Sequence, residues 1–501
     1  MDLVSLGPAA YHEELARRVS RPQRHRLLQG YPMLPLMRSA LPAGRHHGRD
    51  LDGRLTRDAA DGERTEIEPA WIRVDTSRPL LVGIIPHAQC TPKIAGCGFC
   101  TFPHDAYDKG ELEATAGAVG SEMMSFLFFH RDEISKRRVD AVYFGGGTAN
   151  LTPPETIEDL GGALADSLDM SGAEVTLEGV PSLFRSIAND RLSALLTIPA
   201  RQRRISMGVQ TFDQAWISRM GRQAFGSRRT VEAVVDKAHR HDVTASGDFL
   251  INLPGQRRAA MIEDLRQAEA TGLDQICVYH LVLTESTGAR WADDPEMMRA
   301  LPAAAAACDN WLAVRDWLLE HGFVQTTLTN FERASVHATS RRFVYEEHSF
   351  SPERYDAIGF GPMSISTFVD LRARRAVKHV CGKILRRTDN DALFFAYGEE
   401  DLRLLHLTRT LARLAIDRAV YRAVFGDDPY AHFGGAIDAV VAADLATLDD
   451  TALRLTPRGM FFADSIAGLF AFPRVEALRA EAAGQRTRDL LDRKVVADFM
   501  G

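Results

Sequence analysis

Hydrophobic positions are unevenly distributed along the chain. From Leu80 onward, short apolar runs bounded by glycine or polar residues alternate with longer stretches in which apolar residues recur every three or four positions. The short runs predict strands: LLVGII (80–85), AVYF (141–144), EVTLEG (174–179), RISMGVQ (204–210), TASGDFLI (244–251), QICVYHL (275–281) and, weakly, TTLTNF (326–331). Between them, segments such as ELEATAGAVGSEMMSFLFFHRDEI, PPETIEDLGGALADSL, SRRTVEAVVDKAHRHD and RAAMIEDLRQAEATG predict helices. Strand, helix and strand repeat as successive βαβ units, which implies a parallel sheet. The expected fold is α/β: a partial (β/α)6 or TIM-like barrel of parallel strands, with its chemistry at the C-terminal strand ends.

Outside that region the pattern changes. Residues 1–77 read as a short helical extension (YHEELARRV, then HRLLQGYPMLPLM) followed by a polar connector rich in Gly, Arg, Asp and Glu. The barrel is expected over 78–370. After about residue 370 the strand texture fades, and 371–501 read as a mostly helical C-terminal domain.

Composition narrows the function classes. The 501 residues are 45% hydrophobic and 25% charged, with a net charge of −7, which argues against a protein held to nucleic acid by phosphate contacts. No basic stretch followed by an apolar run marks a signal peptide, and no window approaches a membrane span. A cytoplasmic protein is expected, with a small-molecule substrate and neither nucleic acid nor membrane as partner.

Six cysteines are too few for a disulfide framework, yet Cys90, Cys97 and Cys100 crowd into eleven positions just after the first strand. Three thiolates on one loop suit a soft metal. Zinc would require a fourth ligand, with His87 and His104 nearest. A four-iron cluster would keep one iron open for another molecule. Unrelated thiols are the third reading. The isolated Cys277, Cys308 and Cys381 read as buried small hydrophobes. The next strand runs into Gly145-Gly146-Gly147-Thr148, where missing side chains let backbone approach closely. This loop lacks the Gly-Lys-Ser/Thr of a Walker motif.

In order, the three cysteines, VYFGGGTANL, TLEG (176–179), RISMGVQTFD (204–213), GRQ (221–223), GDFLINLPGQ (247–256), VYHLVL (278–283) and IGFGPMSIS (358–366) resemble radical S-adenosylmethionine enzymes related to oxygen-independent coproporphyrinogen III oxidase. The resemblance implies that Cys90, Cys97 and Cys100 hold a [4Fe–4S] cluster and that its open iron binds S-adenosylmethionine. It further implies that Gly146, Gly147 and Thr148 lie against the methionine end of that cofactor. Glu178, Gln210, Arg222 and Asp248 would hold its polar groups, and Phe99 would pack beside it. A second S-adenosylmethionine is implied against the loop from Gly359-Phe360-Gly361 to Ile365. An electron donor such as flavodoxin or ferredoxin is implied as partner.

Two departures matter. Six residues separate the first two cysteines where the family has three, and Val82 stands where the oxidase has a tyrosine. The second weakens the case for that oxidase activity. With the two candidate cofactor loops, the YPMLPL extension and the missing tyrosine, the chain resembles the family's methyltransferases and cyclopropane-forming enzymes of secondary metabolism, so methylation or other alkylation of a carbon, including cyclopropanation, of a secondary metabolite is the first expectation. Tetrapyrrole chemistry and a haem-binding carrier are the alternatives. Tyr279, His280, Glu285 and Tyr345-Glu346-Glu347-His348 are further polar candidates for the open face.

Overall fold

A computed structural model describes residues 7–21, 23, 38–39, 75–90, 97–100, 107–135, 137–283, 289–380 and 393–484. In chain order its strands are β1 (Arg38–Ser39), β2 (Leu80–Ile84), β3 (Val139–Phe144), β4 (Glu174–Gly179), β5 (Gln202–Gln210), β6 (Thr244–Ile251), β7 (Gln275–His280), β8 (Phe323–Gln325), β9 (Asn330–Arg333), β10 (Asp356–Phe360), β11 (Ile365–Asp370), β12 (Arg375–Val380) and β13 (Leu393–Tyr397). These form one sheet in the order β1-β13-β12-β11-β10-β2-β3-β4-β5-β6-β7-β9-β8. The central run from β10 to β7 is parallel throughout, and antiparallel strands extend it on both sides. The fold is thus α/β, a partial TIM-like barrel left open.

Its strands are apolar because both faces are covered. In β3, Val139, Ala141, Val142 and Phe144 have no solvent exposure. The intervening helices bury one stripe each: Val231, Val234, Val235 and Ala238 of the helix Arg228–Arg240 recur at the three- and four-residue spacing of a single helical face. Two helix starts near the site carry aspartate caps. Asp108 accepts from the Glu111 amide before Lys109–Phe129, and Asp190 from the Leu192 and Ser193 amides before Arg191–Thr197.

A buried ion triad ties the first parallel strands together at their N-terminal ends. Asp356 accepts from Arg78 Nε at 3.0 Å, from Arg137 Nη2 at 2.5 Å and from the Val369 amide at 3.0 Å. Nearby, Glu174 and Glu332, both fully buried, receive the backbone of residues 343–345. The short helix Tyr345–Ser349 that follows therefore plugs the barrel from the end opposite its C-terminal face.

Two expectations are corrected. TTLTNF is no strand over 326–331: the chain turns between β8 and β9, and only Asn330 and Phe331 are in a ladder. The sheet also runs on past residue 370 through β12 and β13. In RAVKHV, basic residues interrupt every apolar pair, so no buried run shows in the sequence. Farther on, β14 (Ala415–Asp417), β15 (Ala446–Leu448) and β16 (Ala452–Leu455) make a small antiparallel sheet among the helices, its strands too short to show a period.

The helix Pro8–Val19 does not stand apart. It packs on the helices Pro429–Ala442 and Ala463–Gly484, and glycines make that approach possible: a Cβ on Gly435 would meet Tyr11 at 2.8 Å, and one on Gly468 would meet Arg18 at 2.3 Å. The segment YPMLPL lies outside the described residues. Among the described residues no helix is long and apolar enough to cross a membrane.

Candidate functional site

The candidate residues gather at the C-terminal ends of the parallel strands. From β2 the chain passes through Pro86 and His87 to Cys90. His87 is fully buried, and its Nδ1 accepts from the Gln89 amide at 3.2 Å, closing a tight turn. Burial pushes its imidazole down to about 4, so the ring is neutral.

The glycine loop packs on this turn. A Cβ on Gly147 would lie 2.5 Å from the Gln89 carbonyl oxygen, and the Thr148 amide donates to that oxygen at 3.1 Å. Gly146 has φ +124°, a conformation that suits glycine. Thr148 Oγ1 then stands 3.2 Å from Cys90 Sγ. The missing side chains make room for the cysteine loop itself.

Cys97 and Cys100 lie at a second place, packed with Phe99, Val180 and Phe225. Gly98 has φ +83°, and a Cβ there would overlap the Trp291 indole at 2.1 Å. The Trp291 amide donates to the Gly98 carbonyl at 2.9 Å, and the Phe99 ring sits 5.8 Å from the indole. Trp291 thus fixes the cysteine loop; nothing in its sequence context signals this.

Among the described residues, no three Cys, His, Asp or Glu side chains converge closely enough to hold one metal ion. The zinc reading with His87 as fourth ligand is not assembled here, and His104 lies outside the described residues. Three soft thiols spread over two neighbouring places suit a larger thiolate-bound cluster in donor type and number.

The polar candidates sit on adjacent strands. Glu178, next to last in β4, is half-buried, and its Oε2 accepts from the Tyr143 hydroxyl at 3.2 Å. Burial holds that phenol well above its ordinary range, so it remains a neutral donor. Asp248 of β6 is registered with Gly208 of β5 and Cys277 of β7, and is half-buried. Gln210 ends β5 at φ +74°, where the register slips between Gly208 and Gln210. The irregularity turns its amide back over Gly208, 3.1 Å from where a Cβ would be. Arg222 is 5% exposed; one arm of its fork donates to Cys97 Sγ at 3.2 Å and the other to the Gly208 carbonyl.

A clasp missed from sequence joins the two central motifs. Asn150, fully buried, donates to the Val180 carbonyl at 3.0 Å and accepts from the Val180 amide at 3.1 Å. Gly179 permits this, since its Cβ would fall 1.9 Å from Asn150 Cγ. Ile365 is 42% exposed, and Gly361 at φ +95° backs directly onto the Ile85 carbonyl.

The remaining candidates divide between the end of β7 and the plug. The Asn252 amide contacts His280 Nδ1 at 3.1 Å, and the half-buried His280 ring packs 5.1 Å from Phe461. Tyr279 packs beside the cluster around Trp291, and Glu285 lies outside the described residues. Tyr345 and Glu346 belong to the plug at the closed end, not to the open face. From there Tyr345 stacks on Tyr143 at 4.7 Å. Glu346 accepts from Thr327 and Thr329 at 3.2 and 3.4 Å, and burial pushes it up to about 7. Cys277 is buried but donates to Asn330 Oδ1 at 2.7 Å, so it is more than a small hydrophobe. Cys308 is buried, and Cys381 lies outside the described residues.

No protein-family model matches the chain. It is 29% identical over 212 residues to the mitochondrial radical S-adenosyl methionine domain-containing protein 1 of Bos taurus, covering 40% of this chain and 45% of that one. To the heme chaperone HemW of Lactococcus lactis it is 27% identical over 241 residues, covering 47% and 58%. Against the oxygen-independent coproporphyrinogen III oxidase of Paracoccus denitrificans the match is 26% over 360 residues, covering 66% and 74%. The chain thus spans about half the length of the first two relatives. Among solved structures, coproporphyrinogen III oxidase (HemN) from Escherichia coli, a radical SAM enzyme, superposes with a TM-score of 0.63 over 80% of this chain and 92% of that one, at 16% identity.

Proposed function

We propose that this chain, which resembles in sequence and in fold the radical S-adenosylmethionine proteins related to oxygen-independent coproporphyrinogen III oxidase, is a radical S-adenosylmethionine enzyme acting on a small molecule. The observation that carries this reading is the 3.2 Å approach of Cys90 Sγ to Thr148 Oγ1, which joins the cysteine loop to the glycine loop at the strand ends. In this reading Cys90, Cys97 and Cys100 hold a [4Fe–4S] cluster. Cluster and S-adenosylmethionine together supply, when bound and given one electron by a donor such as flavodoxin or ferredoxin, a 5′-deoxyadenosyl radical.

The chain's own residues bind and orient. Gly146, Gly147 and Thr148 face the methionine end, where bare backbone and one hydroxyl fit a compact zwitterion. Glu178 and Asp248, on strands flanking β5, accept the ribose hydroxyls. Gln210, turned inward at the end of β5, offers a donor and an acceptor. Phe99, braced by Trp291, covers the cofactor and excludes water.

For the substrate, we propose carbon alkylation, as methylation or cyclopropanation of a secondary metabolite, with a second S-adenosylmethionine against Gly359–Ile365. The seating of Gly361 on the Ile85 carbonyl supports this, because it sets that loop beside the start of the cysteine loop. So does Val82, fully buried with no phenol to offer. Tetrapyrrole chemistry or haem carriage is the second reading, favoured by relatives named as coproporphyrinogen oxidase, heme chaperone and anaerobilin synthase.

The test is anaerobic reconstitution followed by reduction with methyl-deuterated S-adenosylmethionine. Iron with sulfide and 5′-deoxyadenosine carrying deuterium are expected. Unlabelled 5′-deoxyadenosine with CO₂ from a propionate-bearing substrate selects the oxidase reading. Haem binding with no 5′-deoxyadenosine selects the carrier, and protein without iron ends the radical reading.

A further inference from the structure

Cys97 differs from the other two thiols. It is 6% exposed, whereas Cys90 and Cys100 are half-buried, and Arg222 donates to its sulfur. Arg222 is held in three ways: one Nη on Cys97, the other on the Gly208 carbonyl, and the guanidinium plane over the Phe225 ring at 4.3 Å. Among the described residues no carboxylate pairs with it, and its Nε is buried without a hydrogen-bond partner. A fixed, unneutralised cation therefore bears on one sulfur of the cysteine loop. Its fork is already engaged by the protein, which leaves only Nε–H for an incoming acceptor.

We infer that Arg222 is a positioning residue that sets the reduction potential of the cluster bound through Cys97, an inference that rests on the cofactor reading above. The step is the transfer of one electron from an external low-potential reductant into the oxidised cluster, with no bond made or broken. The added negative charge spreads onto the ligand sulfurs. A charge-assisted N–H···S bond stabilises the reduced state more than the oxidised one, and enclosure strengthens the effect. Arg222 thus raises the potential and eases entry of the electron.

The experiment is a potentiometric titration with dithionite, followed by electron paramagnetic resonance, of the reconstituted full-length protein without S-adenosylmethionine. Omitting the cofactor means that a lost contact to it cannot move the result. In Arg222→Gln at unchanged iron and sulfide content, the ratio of reduced to oxidised cluster at a given potential should fall about tenfold, or ~59 mV for a one-electron couple. Arg222→Lys should fall between this and the parent, since an ammonium keeps the charge but not the planar fork. An unchanged potential in Arg222→Gln overturns the inference. So does loss of iron from both variants, which would make Arg222 an assembly residue. A parent protein that takes up no iron removes the cofactor reading itself.

Discussion

Tyr143 and Glu178 meet beside Gly145, whose missing side chain leaves them room. A Cβ there would stand 3.0 Å from the Tyr143 ring and 3.2 Å from Glu178 Oε2, in the way of the bond between them. Tyr143 in turn rests on Tyr345 from the plug, so the carboxylate at the open face is aligned from the closed end. If Glu178 accepts ribose hydroxyls, Glu178→Gln should weaken S-adenosylmethionine binding by ~1.5–3 kcal/mol, and Tyr143→Phe by ~0.5–1.5 kcal/mol. Calorimetric titration of reconstituted protein checks both; equal affinity in parent and Glu178→Gln would remove Glu178 from the site.

The cysteines should divide cleanly. Cys90→Ala, Cys97→Ala and Cys100→Ala are each expected to abolish iron retention and 5′-deoxyadenosine formation, because two thiolates hold such a cluster poorly. Cys277→Ala and Cys308→Ala should keep their iron. Cys277→Ala should also lower stability by ~1–2 kcal/mol through its lost bond to Asn330. Iron and sulfide assays with urea unfolding separate the two classes.

Removing the Asn150 clasp should be felt in folding. Asn150→Ala leaves the buried Val180 amide without its acceptor, while the Val180 carbonyl keeps the Leu183 amide, a cost of ~1–3 kcal/mol. Gly179→Ala should do comparable damage, since its methyl would displace the same side chain. An unchanged urea midpoint in either variant would show that the clasp contributes nothing.

Glu346 gives stability a pH dependence of predictable sign. Its folded value near 7 lies above the ordinary 4.5, so the folded state holds the proton more tightly. The contribution is complete below about pH 4.5 and declines as pH rises through 7, by on the order of 3 kcal/mol. Glu346→Gln should flatten this part of the curve, measured as the difference in unfolding free energy between pH 5 and pH 8. Equal slopes in parent and variant would refute the assignment.

Much of this was legible beforehand. β3 through β7 announce themselves because each carries a short apolar run bounded by glycine or polar residues. The open-face motifs follow, as strand ends must carry whatever polar residues a site uses. What escaped needs contacts between distant positions. Tyr345 and Glu346 read as open-face residues because a loop after a strand does not reveal which end of the barrel it reaches; Glu174 and Glu332 decide that by holding residues 343–345. The resemblance implies that Arg222 holds polar groups of the cofactor, yet its fork is taken up by a sulfur 125 positions away and a carbonyl. Asn150 looked like the tail of a glycine motif, and only the bare Gly179 shows what it grips.

The packing of Pro8–Val19 against helices more than four hundred residues later has a consequence during synthesis. The parallel strands from β2 to β7 can assemble in order as each strand and helix leaves the ribosome, because each pairs with the next in sequence. The first helix cannot. Tyr11 and Arg18 must wait for Gly435 and Gly468, so the amphipathic face of that helix stays uncovered, and open to chaperones or proteases, until those two positions have been made.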